Sequence, residues 1–149
     1  MSIETVCAGL VAIGADVAGI ESAPDPPPEN LDSASLPALY ALTGESMDDD
    51  TMLGAEFVQE IRTYRVQVAV AAYGEGTVAQ TEGKARPLIQ LVKSAYANRP
   101  NLESILNVQK VRVLGDSGVE ILAEYGGKFI GFEVRVEVTE YASRTIVEG

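Results

Sequence analysis

The sequence predicts an α+β fold, a mostly antiparallel or mixed β-sheet packed on one face by two α-helices. Two period-two stretches, residues 58–73 and 129–141, mark long strands, because successive side chains of a strand point to opposite faces. Two other segments carry apolar residues three and four apart, the spacing of a helix that buries one stripe. No repeated strand–helix–strand rhythm is present, which sets the pattern apart from a parallel α/β sheet. At 149 residues the chain fits a single domain. Its 46% apolar content is enough for one core, and with no Trp that core falls to Val, Ile, Leu and Ala.

The first helix is expected over residues 2–20. Ile3, Val6, Cys7, Leu10, Ile13, Val17 and Ile20 form its stripe, Ser2 can cap it, and Glu4 suits the positive end of the dipole. The opposite face carries Ala8, Gly9, Ala12 and Ala15, small residues compatible with close packing against the same chain or a neighbouring subunit. Residues 21–35 hold four of the seven prolines and read as a connector, extended rather than helical around Pro26, Pro27 and Pro28. A short strand is expected at 36–42, an edge strand because Pro37 cannot donate a ladder hydrogen bond. Residues 43–56 read as a polar, acidic loop.

The 58–73 strand is longer than the usual 5–6 residues, so a long hairpin-like extension should reach past the core. Tyr64, Val66, Val68 and Val70 fall on one face, and Thr63, Arg65, Gln67 and Ala69 on the other. Gly74 and Gly76 break the pattern. A second helix follows at 78–98, with Ala85, Leu88, Ile89, Val92, Ala95 and Tyr96 as its stripe. Thr77 or Thr81 can cap it, Pro87 should kink it or mark its start, and Arg99, Pro100 and Asn101 end it. Residues 108–115 alternate again, Asp116, Ser117 and Gly118 supply a turn, and 119–125 is expected to pair back as a hairpin. Gly126 and Gly127 make the next turn. The closing strand, 129–141, sets Ile130, Phe132, Val134, Val136 and Val138 against Glu133, Arg135 and Glu137, and 142–149 reads as a tail. The helices should cover the face of Tyr64, Val66, Val134 and Val136. The face assigned Arg62, Arg65, Gln67, Glu133, Arg135 and Glu137 is then left for water or a partner, and these six are the candidate subunit-interface residues.

Composition argues against catalysis. The chain has no His, the commonest general base and metal ligand, and a single Cys, which permits neither an intrachain disulfide nor a thiolate zinc cluster. Cys7 lies between Val6 and Ala8 and reads as a small buried hydrophobe. No phosphate-binding glycine motif or nucleophile elbow occurs. Glu133 and Glu137 share a strand face, but Arg135 between them suits ion pairing across strands or subunits better than an acid–base dyad. No enzyme activity and no cofactor are expected. Asp48, Asp49 and Asp50, with Glu56, are the candidate divalent-cation ligands. They lack the alternating spacing and central Gly of a calcium loop, so a solvated acidic loop is the preferred reading.

The net charge of −11, with an isoelectric point near 4.3, repels phosphate backbones and argues against direct nucleic-acid binding. No apolar run reaches the ~18 residues of a membrane span, and no basic leader precedes Glu4, so a soluble protein is expected.

The helix at the start, the Leu36-Pro37-Ala38-Leu39-Tyr40 strand and the R-x-Y-x-V-x-V strand at 62–68 come in a telling order. A helix and a G-F-x-V-x-V-x-V strand at 131–138 complete it. In size and element order, over residues 1–141, this resembles the tail terminator and tail-completion proteins of long-tailed bacteriophages. The proline-rich connector and the Asp48–Asp50 run depart from that pattern. The resemblance implies a virion neck protein, assembled in the host cytoplasm, that forms a homo-oligomeric ring, usually a hexamer. Such a ring caps the tail-tube protein, stops tube growth and joins head–tail connector proteins, while DNA passes through the lumen without specific binding. Another neck or tail-tube subunit is the sibling reading. A metal- or ligand-binding domain and an adaptor domain are the rivals from other classes.

Overall fold

The computed structural model describes residues 3–49, 57–73, 78–99, 102 and 108–143. Ser2, Asp50, Glu56, Gly74, Gly76, Thr77, Pro100, Asn101 and residues 144–149, to which the sequence reading gave cap, loop, turn or tail roles, lie outside them. The fold is α+β, as predicted. In chain order it comprises α1 (Ile3–Ala15), β1 (Ala38–Asp49), β2 (Phe57–Ala72), α2 (Val78–Ala97), β3 (Val108–Asp116), β4 (Glu120–Leu122) and β5 (Phe129–Ser143). The strands form one antiparallel sheet in the order β1-β2-β5-β3, with β4 also beside β5.

The two stretches of strictest alternation, β2 and β5, pair at the sheet centre from Phe57↔Ser143 to Ala72↔Phe129. Their β-branched face carries Tyr64, Val66, Val68, Phe132, Val134, Val136 and Val138, each fully buried. Val6, Leu10 and Ile13 of α1 and Ala85, Leu88, Val92 and Tyr96 of α2 close over it. The Tyr96 hydroxyl donates to the Leu10 carbonyl oxygen at 2.7 Å, tying the two helices together inside the core. Ala8, Ala12 and Ala15, the small-residue face of α1, are exposed.

Several expectations need correction. α1 stops at Ala15 rather than residue 20. The chain tightens there through i→i+3 bonds from Asp16 to Ile13 and Val17 to Gly14, and Gly19 takes a left-handed φ of 97°. Val17 still packs into the core from beyond the helix. The 43–56 loop is, through Asp49, a continuation of β1 along β2, with Asp48 opposite Glu60 and Asp49 opposite Gln59. A register shift between Thr43 and Ser46 breaks the alternation, so pairing with an over-long neighbour outweighs the poor strand propensity of Gly and Asp. β1 is nonetheless an edge strand, as Pro37 implied. β1, β2 and β5 stay paired out to Asp49, Phe57 and Ser143.

Thr81 does not cap α2 but lies buried inside it, and Pro87 sits within the same helix, marking no start. The segment after Gly118 does not fold back on β3. β4 instead continues along the same edge of β5. Ser117 bridges the interruption, its N–H donating to the Glu133 carbonyl oxygen and its Oγ accepting from the Glu133 N–H, both at 2.9 Å. The tight turn to β5 uses Gly126 and Gly127, both at positive φ. Residues 142 and 143, expected in the tail, belong to β5.

Candidate assembly surface

The sheet face turned away from the helices is not uniformly open. At one end Tyr40, Ala69, Leu122 and Phe129 form a second small core, against which Leu31 and Leu36 of the proline-rich segment pack. Tyr125 stacks edge-on against both Tyr40 and Phe129 and donates to the Pro28 carbonyl oxygen at 2.6 Å. The connector is therefore a strap across the sheet. Beyond it the face becomes polar.

The passage from apolar to charged runs through one hydrogen-bonded chain. Tyr40 Oη donates to Gln67 Oε1 at 2.9 Å, and Gln67 Nε2 donates to Glu133 Oε1 at 3.1 Å. Arg65 Nη1 reaches Glu133 Oε1 at 3.3 Å and Glu124 Oε1 at 2.8 Å, while Arg135 Nε meets Glu133 Oε2 at 3.1 Å. Both oxygens of the buried Glu133 are thus engaged, which removes most of the penalty of burying a carboxylate. Burial works against the Arg65 charge, yet its bonds to Glu124 and Glu133 hold its pKa above the ordinary value. Burial also pushes Glu124 up, and the hydrogen bonds from Arg65 and Gln67 outweigh it, so Glu124 sits below the usual carboxylate range. Burial raises the Tyr40 hydroxyl, so that it serves as a donor and not as a base.

Of the six interface candidates, five share this face. Gln67 and Glu133 lie at its floor, already satisfied within the chain, whereas Arg65, Arg135 and Glu137 reach the surface. Arg112 of β3 extends the row, 3.8 Å from Glu137. Arg62 is a correction. It has the parity of Tyr64 and so projects from the helix-covered face, where it pairs with Glu60 at 3.0 Å and donates to the Gly44 carbonyl oxygen at 3.1 Å. Tyr40, Arg112, Glu124 and Tyr125 were missed as members. The strand alternation that places Tyr40 opposite Gln67 could have found the first, but turn residues such as Glu124 carry no comparable periodicity.

A second polar group lies on the helix side, where Glu60 and Glu140 are paired across β2 and β5. Burial, and then the nearby Glu60 charge, raise the Glu140 carboxyl above its ordinary value. The Tyr64 hydroxyl beside it is buried with no hydrogen-bond partner among the described residues. Burial, followed by Asp25 and Glu4, raises the Cys7 thiol, which keeps it protonated and unreactive.

Among the described residues no group of three or more His, Cys, Asp or Glu is placed to hold a metal ion, and no helix is long and apolar enough to cross a membrane. Of the cation candidates, Asp48 and Asp49 are strand residues. At its surface this face presents Arg65, Arg135 and Arg112 beside Glu124 and Glu137. No family model matches this chain, and no curated protein matches it.

Proposed function

We propose that the chain is a structural virion protein that closes head-to-tail into a ring on a bacteriophage tail tube. The ring ends tube growth and joins the tail to the neck. One observation carries this reading: a charged surface row, Arg65, Arg135 and Glu137 on the two longest strands and Arg112 beside them on β3. Fixed strands present such charges at little entropic cost, which favours selective docking of copies over catalysis. The element order and the strand motifs at 62–68 and 131–138 supply the link to tail terminators. The partners are then further copies of the chain, the tail-tube protein and the head–tail connector. The charge of −11 gives the lumen a wall that DNA phosphates do not adhere to.

Size-exclusion chromatography with light scattering, alone and with purified tail tubes, tests the proposal. The expected result is a ring-sized oligomer, or a monomer that assembles only on tubes. A chain that stays monomeric and never caps tubes overturns it. Arg135→Glu should weaken assembly more than folding, because Arg135 is largely exposed and Glu133 keeps its bonds to Gln67 and Arg65. Arg65→Glu should also unfold the network, since it sets a third carboxylate against Glu124 and Glu133.

A further inference from the structure

We infer that copies of this chain join edge to edge, the outer side of β1 in one copy pairing with the outer side of β3 in the next. Among the described residues the sheet ends in these two strands, each with a partner strand on one side only. Among the described residues the connector covers just the start of β1, through a parallel bridge at Ser22↔Ala38 and the Leu39 N–H donating to the Ser22 carbonyl oxygen. Past Leu39 the outer edge of β1 carries no further strand. Because the Leu39 N–H points outward, the alternation of an antiparallel ladder turns the backbone groups of Ala41 and Thr43 the same way. An unpaired row of this kind is a template for another strand.

Charge decides which edge meets which. From Ala38 to Asp49, β1 carries Glu45, Asp48 and Asp49 and no Lys or Arg. β3 carries Lys110 and Arg112, both exposed, in a chain with only 11 basic residues. Its one acid, Asp116, is already bound to Lys93 of α2 at 2.9 Å. Pairing β1 with β1 sets carboxylates against carboxylates, and pairing β3 with β3 sets cations against cations. Only β1 against β3 places opposite charges across the joint. A contact between two different edges is heterologous, so it propagates from copy to copy until it closes.

Strand direction agrees. β1 and β3 run antiparallel within one sheet, so rotation about an axis along the strands brings them together antiparallel, continuing the existing pattern. The register shifts at 43/46 on β1 and at 108/110 and 113/115 on β3 leave two short regular stretches of β1, 40–43 and 46–49, to pair with 110–113 of β3. So short a joint is weak in a single pair of copies and accumulates in a closed ring or on a template. This inference rests on the self-assembly in the function proposed above, and not on the identity of the tube.

Two blocked variants test it. Thr43→Pro removes an outward N–H from the β1 edge, and Lys110→Glu with Arg112→Glu reverses the β3 edge. Each alone is expected to lose self-association about tenfold or more, on tubes if the parent needs them. Mixed, they keep one good edge each and should give heterodimers and nothing larger by light scattering. If Thr43→Pro fails to fold by circular dichroism, Glu45→Lys with Asp48→Lys and Asp49→Lys blocks β1 instead. Joined with the β3 reversal in one chain, that triple change should restore assembly. If either blocked variant assembles like the parent, or the doubly reversed chain does not recover, edge pairing is wrong and the ring reading stands. A parent that never assembles, with tubes or without, overturns both.

Discussion

Gly131 is the position where a single methyl group should do the most damage. It lies on β5 opposite Ala69, where the β2 register shifts. A Cβ at Gly131 would fall on the Val68 carbonyl oxygen, 2.8 Å from its carbonyl carbon and 3.1 Å from Ala69 Cα. These are backbone atoms of the innermost strand, so no side chain can swing aside. The strands must part by on the order of 1 Å, which overpacks the core by roughly 1–3 kcal/mol. Parting also weakens about two ladder bonds of ~1 kcal/mol each. Gly131→Ala should therefore cost about 3–5 kcal/mol, a large share of the roughly 5–15 kcal/mol typical of a domain. That corresponds to a Tm lowered by roughly 10 °C at this chain length. Gly83 is the control. It is exposed in α2 and an added Cβ meets nothing within 4 Å, so Gly83→Ala should stabilise by about 0.5–1 kcal/mol through helix propensity alone. Urea unfolding followed by far-ultraviolet circular dichroism reads both. A Gly131→Ala protein within about 1 kcal/mol of the parent would refute the reasoning, as would a less stable Gly83→Ala.

The two buried tyrosines should part in the same assay. Tyr96→Phe loses the bond to Leu10 and should cost about 1–2 kcal/mol, whereas Tyr64→Phe removes a hydroxyl with no partner among the described residues and should be neutral or stabilising. Glu140 has a raised folded pKa, so its contribution to stability is full below the unfolded value and is lost as pH rises through the folded one. Glu140→Gln should accordingly stabilise the protein at pH 7, where the Glu60 charge faces it, with the gain vanishing in acid. The Asp116 pKa is depressed by Lys93 and then by the Gly118 N–H, so its contribution is present above the unfolded value and is lost as pH falls through the folded one. Lys93→Ala should cost about 0.3–1 kcal/mol at pH 7 and little at pH 2, in urea titrations at both.

The legible parts of this fold are those in which burial imposes a strict period. β2, β5 and α2 were readable nearly to the residue, because each must turn one row of Val, Tyr, Leu or Phe toward the core and keep it there. The second half of β1 was not, since a bulge resets its alternation and its Gly, Glu and Asp residues follow β2 without burying a row of their own. β4 was found but given the wrong neighbour, because a turn at Asp116–Gly118 suits a hairpin and a strand break equally. The charged surface was half legible. Parity placed Arg65, Gln67, Glu133, Arg135 and Glu137 together, yet nothing in the alternation says that Tyr40, Arg65 and Arg135 will enclose Gln67 and Glu133 while Arg135 itself stays exposed.

By itself, then, the amino-acid sequence determined the α+β class, the two helices, the central strand pair and the sign of the charge on each edge. These follow from side-chain type and spacing along one segment at a time. Only the tertiary structure decided that the proline-rich segment straps the apolar end of the open face, that Arg62 pairs with Glu60 and the Gly44 carbonyl on the helix-covered side, that Ser117 carries the ladder from β3 to β4, and that β1 and β3 end the sheet of described strands. Each of these is a choice of neighbour among segments far apart in the chain. Such choices depend on which backbone groups and surfaces remain unsatisfied once the core has closed.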